Sequence, residues 1–121
     1  MTTIIDPVDV PVPVYNRSGV TIVEMQADHH SDNPPPTSAT PIPHVSGHTI
    51  AIVTGAFGSF QNFVQLPSAE IGDLVEIYVV GKNTFIIASP GTTVDGQPTV
   101  SVSRGLYRKV SATSWRTIGT P

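Results

Sequence analysis

The sequence predicts an all-β fold, a small antiparallel sandwich or barrel with an extended, proline-rich N-terminal arm, and three features predict it. Residues 74–80 alternate: Val75, Ile77 and Val79 fall on one face of an extended strand, Glu76 and Tyr78 on the other. Short apolar runs recur between turn residues from residue 48 onward, at roughly ten-residue spacing and with no helical period. Eight of the twelve prolines lie at or before Pro43, and because each removes an N–H and fixes φ, they exclude helix and central strand there. The chain therefore divides into an extended arm and linker with one short strand, residues 1–46, and a compact β domain, residues 47–121.

In the arm, Val8, Val10, Val12 and Val14 recur every second residue, with Pro11 and Pro13 between them. Backbone groups of successive residues in a strand point to opposite edges, so the prolines silence the odd edge and leave the N–H groups of the four valines free. A strand competent on one edge can add to an exposed sheet edge without recruiting a further strand. These valines are the candidate partner-binding residues. After a turn over residues 16–19, residues 20–25 read as a strand, with Val20 and Ile22 opposite Thr21 and Val23. Residues 27–38 lack an apolar face and carry Pro34, Pro35 and Pro36, the composition of a semi-rigid polyproline linker.

The β domain is expected to begin near His48. Strands are predicted over 49–54, 60–66, 74–80, 84–88, 98–103 and 106–111, with a short last strand around 115–118. Gly55 and Gly58 punctuate one loop, Gly81, Lys82 and Asn83 another. Asp95-Gly96 marks a tight turn, since both residue types tolerate positive φ.

Composition narrows the function classes. The absence of cysteine excludes a disulfide framework and a thiolate metal site. No run approaches the roughly 20 apolar residues of a membrane span, and Met1 is followed by neither a basic nor an apolar leader segment, so a soluble, unprocessed chain with no membrane partner is expected. A net charge of -3 argues against nucleic acid as the main partner. Residues 1–46 hold five acidic residues against Arg17 alone, a net of -4, and the remainder holds five basic against four acidic, a net of +1. A domain of 75 residues (121 minus 46) is a marginal core unless it packs against other chains.

No catalytic constellation emerges, and an enzyme is not expected. Asp28, His29, His30 and Asp32 hold ligand-type side chains close together, and His44 and His48 are four apart, but Pro41, Pro43 and Gly47 argue against the helix that would set those two on one face. No metal site or cofactor is expected. A Gly-x-Ser-x-Gly elbow and a phosphate loop are both absent. Tyr107 with Arg104, Arg108 and Lys109 could face a sugar or a nucleic acid, against the simpler reading of a strand with outward charges. Trp115 reads as a core or subunit-interface anchor, with Tyr107 beside it.

Four segments together carry a resemblance: Leu66-Pro67-Ser68, IGDLVEIY at 71–78, SPGTTVDG at 89–96 and SATSWRTIG at 111–119. They resemble the β modules of tailed-bacteriophage virion proteins, of the capsid-decoration, head-fibre and tail-fibre types, over about residues 66–119. The resemblance implies a homotrimer. The chain lacks a coiled-coil or repeated shaft, which favours a compact decoration (cement) protein on the outer capsid surface, bound to the major capsid protein, over a fibre. A receptor- or glycan-binding knob and a head-to-tail or baseplate adaptor are the alternatives.

Overall fold

A computed structural model describes residues 14–17, 19–30, 39–55, 61–81, 84–102 and 104–119. The described residues form eleven strands: β1 (Val14–Arg17), β2 (Val20–Gln26), β3 (Asp28–His30), β4 (His48–Gly55), β5 (Gln61–Gln65), β6 (Leu74–Gly81), β7 (Thr84–Ile87), β8 (Thr93–Val94), β9 (Thr99–Val102), β10 (Arg104–Ser111) and β11 (Ser114–Gly119). They make two sheets. The larger runs β1-β2-β4-β6-β10-β11-β8 and the smaller β3-β5-β7-β9.

From β2 to β9 the chain switches sheets at every strand. Consequently β2, β4 and β6 lie side by side and parallel, in the rows Val20–His48–Leu74 through Met25–Val53–Val79. The fold is all-β as the sequence predicts, but the expected antiparallel arrangement is corrected to mixed sheets. Parallel neighbours need a crossover, and here a strand in the opposite sheet provides it. Apolar alternation and turn residues look the same whether the next strand folds back beside its predecessor or crosses over it.

The core lies between the sheets. Val23 and Met25 of β2, Ala51 and Val53 of β4, Val75 and Ile77 of β6, Tyr107 of β10 and Trp115 of β11 meet Val64, Leu66, Ile86 and Ala88 from the smaller sheet and its flanks. The boundary expected after residue 46 does not separate an arm from a core. β2 is paired along its whole length with β4, and Met25, Ala27 and Ile42 are buried with the rest.

The expected linker is likewise partly structured. Asp28–His30 pairs with β5, and Pro41 bridges to Gln65, with Ile42 N–H donating to Gln65 O and Gln65 N–H to Thr40 O. Residues 40–42 thus continue the sheet edge that β3 begins. The Asp28 carboxylate ties β3 to residue 40 by accepting from Thr40 N–H at 2.6 Å and from its hydroxyl at 2.8 Å. The sequence missed this because the short strand is made of polar residues whose pairing is with backbone.

Asp95 and Gly96 form the expected tight turn, with φ of 50° and 83°. Val94 and Gln97 exchange backbone hydrogen bonds of 2.7 and 2.8 Å across it. On β10, Gly105 is required because the Tyr107 ring folds back over it: a Cβ there would lie 2.6 Å from the tyrosine oxygen and 2.8 Å from Cζ. Burial, together with the negative Asp95, pushes the Tyr107 phenol up to about 12. Its hydroxyl has no hydrogen-bond partner among the described residues.

Two stability measurements check this packing. Gly105→Ala should destabilise by about 1–3 kcal/mol, because the ring must shift in a filled core. Tyr107→Phe should be neutral or stabilising by up to about 1 kcal/mol, since it removes an unsatisfied buried hydroxyl and little else. Urea denaturation followed by Trp115 fluorescence reads both.

Candidate functional site

Three places on the molecule carry polar chemistry or an unsatisfied surface. The first is buried, at the end of the larger sheet where β4 and β6 begin. The Asp73 carboxylate accepts from His44 Nε2 at 2.8 Å, from Gly47 N–H at 3.0 Å and from Glu70 N–H at 3.0 Å. His44 Nδ1 lies 2.6 Å from the Thr49 hydroxyl. A carboxylate only accepts, so Nε2 carries the proton it shares with Asp73, and in the neutral ring Nδ1 accepts from Thr49.

The order carboxylate, imidazole, hydroxyl is that of a nucleophile relay. Here it cannot act as one, because Thr49 is 0% exposed and the His44 side chain is equally enclosed. The arrangement is a clamp. It ties the loop before β4 to the loop before β6 and braces an end where Val45 and Ile71 stand 79% and 66% exposed. Lys109 joins the same end: its backbone exchanges bonds with Gly72 and Asp73, and its buried ammonium donates to Ala69 O and sits 5.8 Å from the centre of the Trp115 ring.

The second place is the outer face of the larger sheet. His48 Nε2 meets Glu76 Oε1 at 2.7 Å, and the Tyr78 hydroxyl donates to Glu76 Oε2 at 2.6 Å. Around this cluster Ile22, Ile50, Ile52, Leu74 and Leu106 are half-buried, and Val80, Val110 and Ile118 are exposed.

The third place is the perimeter of the same sheet, and its two edges differ. At one, β8 covers only Ser114 and Trp115 of β11. Asp95 takes over beyond it, accepting from Thr117 N–H at 3.0 Å and from its hydroxyl at 2.6 Å. Those hydroxyl and N–H bonds, with Arg116 nearby, hold the Asp95 carboxyl below its ordinary range against the opposing effect of burial. That edge is capped. At the other, β1 is the last strand, and no described residue pairs with its outer side.

The sequence-predicted residues separate across these places. Val14 lies in β1 opposite Val23, whereas Val8, Val10 and Val12 lie outside the described residues. Tyr107 and Trp115 are fully buried in the core of one chain, the Trp115 indole donating to Ser89 Oγ at 3.1 Å. Strand alternation splits the residues weighed as a sugar- or nucleic-acid-facing patch, and it also departs from the simpler expectation of outward charges, since Arg108 faces outward but Tyr107 and Lys109 face inward. The two histidines at 44 and 48 also part, one into the clamp and one onto the outer face. Sequence reasoning missed Asp73, Thr49 and Glu76 because their partners are brought close only by the pairing of β4 with β6.

No protein-family model, no curated protein and no solved structure matches this chain.

The clamp has a pH signature. Burial works to raise the Asp73 pKa, but the bonds from His44, Glu70 N–H and Gly47 N–H and the charge of His44 outweigh it, so the pKa lies below its ordinary value of 3.8. A carboxylate depressed in the folded state adds stability that is complete above its unfolded pKa and lost as pH falls through the folded one. The Asp73 contribution should therefore be intact above about pH 5 and decline progressively as the pH falls below about 4 and through the depressed folded pKa. Asp73→Asn should lower stability at neutral pH by about 2 kcal/mol and lose that part of the acid decline, as measured by urea titration at a series of pH values.

Proposed function

We propose that this chain is a virion structural protein, a capsid decoration protein of a tailed bacteriophage. It sits on the outer capsid surface as a homotrimer and holds neighbouring subunits of the major capsid protein together through its β module and N-terminal arm. The motifs at 66–68, 71–78, 89–96 and 111–119 support the reading. So does the placement of the polar clusters: the one relay-like arrangement among the described residues is buried and serves as a clamp.

The observation that carries the reading is the asymmetry of the larger sheet. One edge is capped by β8 and Asp95, and the other, β1, is open and continues directly into the proline-patterned arm. A larger sheet with one edge capped and the other open suits a protein whose task is to hold on to neighbours. Outward-facing Ile50, Ile52, Leu74 and Leu106 add half-buried apolar surface that a subunit contact can cover.

Particles with the protein should resist heating better than particles stripped of it, and it should be present in hundreds of copies per particle. Equal inactivation temperatures would overturn the reading, and a copy number in the tens or fewer would assign the chain to a fibre or an adaptor instead.

A further inference from the structure

We propose that the Asp95-Gly96 turn is a site of slow isoaspartate formation, that Thr117 holds it in check, and that its conversion uncaps the β11 edge of the larger sheet. This is the one Asp-Gly pair in the sequence, and no Asn-Gly occurs. In such a pair the amide nitrogen of the glycine attacks the side-chain carbonyl carbon of the aspartate, because glycine has no Cβ to obstruct the approach.

The step balances with water alone. A bond forms between Gly96 N and Asp95 Cγ, the amide proton and the side-chain hydroxyl leave together as water, and a five-membered imide ring closes. Water then adds to the original main-chain carbonyl carbon of Asp95 and breaks its bond to Gly96 N. The chain now runs through Asp95 Cβ and Cγ, and the former carbonyl carbon is a free carboxylate on Cα. Nothing is oxidised or reduced, and the composition is unchanged.

The turn presents both reactants. Asp95 and Gly96 are exposed, and a Cβ built on Gly96 would meet nothing within 4 Å. Val94 and Gln97 make the backbone bonds that cross the turn, while Gly96 N–H has no acceptor among the described residues. What withholds the reaction is the position of the carboxylate. Oδ1 accepts from Thr117 N–H at 3.0 Å and Oδ2 from the Thr117 hydroxyl at 2.6 Å. Both oxygens are thereby held toward β11, and the same bonds favour the ionised carboxylate, which is a poor target for a nucleophile.

Conversion undoes that contact. The new carboxylate sits directly on Cα, one methylene nearer the main chain than the old one, and the main chain of the turn is one carbon longer. The shorter group no longer reaches Thr117 with both oxygens, and the altered turn cannot keep both Val94–Gln97 bonds of 2.7 and 2.8 Å. β8 stays on Ser114 and Trp115, because Val94 is anchored in the core. Thr117 N–H is left unpaired on a strand edge, where a free donor is a template for another strand. The site belongs to the chain itself and does not depend on the decoration reading.

The test holds the full chain warm in a mildly acidic buffer, digests it, and assays the peptide spanning residue 95 with a methyltransferase that labels isoaspartyl carboxylates. The folded wild type should convert several-fold more slowly than the same chain in urea. Thr117→Val, which removes the hydroxyl and keeps the shape, should convert several-fold faster than the wild type with the near-ultraviolet signal of Trp115 unchanged. Thr117→Ser, which keeps the hydroxyl, should match the wild type. In heavy-oxygen water the product should carry one heavy oxygen, the mark of the imide step. Converted protein, once enriched, should exchange the Thr117 amide hydrogen many-fold faster than unconverted protein. A folded wild type that converts as fast as the unfolded chain overturns the proposal, as does Thr117→Val converting no faster than Thr117→Ser. So does a Thr117 amide equally protected before and after conversion.

Discussion

The fold depends on three strands lying side by side and parallel. β2, β4 and β6 all start at the same end of the sheet, and a strand cannot reach a parallel neighbour by a hairpin. It must leave the sheet and return to the starting end. This chain returns each time through the opposite sheet, by β3 between β2 and β4 and by β5 between β4 and β6. The two layers are therefore one winding. Removing a strand from the smaller sheet would break the path to its neighbours in the larger one, so the core cannot be assigned to either sheet alone.

The clamp at Asp73 follows from the same geometry. Because His48 and Leu74 start their strands level with one another, the loops leading into them arrive together, and their backbone ends are partly removed from water. Polar groups so placed need partners. One carboxylate serves Gly47 N–H, Glu70 N–H and His44, and the histidine in turn satisfies Thr49, whose position on the inner face of β4 would otherwise bury its hydroxyl in the core. The resemblance to a catalytic relay arises because carboxylate, imidazole and hydroxyl are the groups that satisfy one another in a chain. Without access to Thr49 the arrangement holds loops and does no chemistry.

What the sequence disclosed is what period and turn chemistry can encode. The alternation in residues 20–25, 49–54 and 74–80 and the Asp95-Gly96 turn correspond to observed elements, because burial of one face imposes the period of two, whereas the turn expected over 16–19 is narrower, since Asn16 and Arg17 belong to β1. Sheet partners were not legible. A run such as TIAIVT at 49–54 contains nothing to say that its neighbours are Val20–Gln26 and Leu74–Gly81, both parallel. Very short strands were missed for a related reason: β3 is polar and β8 is only Thr93 and the core residue Val94, and both are held by backbone pairing beside Asp28 and Asp95 and are too short to show a period. Lys109 read as an outward charge, yet the alternation of β10 turns it inward, where a carbonyl and an indole face receive the ammonium.

The two ends of the larger sheet show how differently one chain can treat exposed backbone. Unpaired strand edges are templates for association, and folded proteins blunt them with short strands, charges, prolines or bulges. At β11 two such devices act together: a two-residue neighbour and a carboxylate occupying the N–H of Thr117. At β1 no described residue pairs with the outer side, and the prolines just upstream in the sequence, Pro7, Pro11 and Pro13, all stand at odd-numbered positions. A proline at position 14 would remove a donor from that outer edge, and the sequence places a valine there.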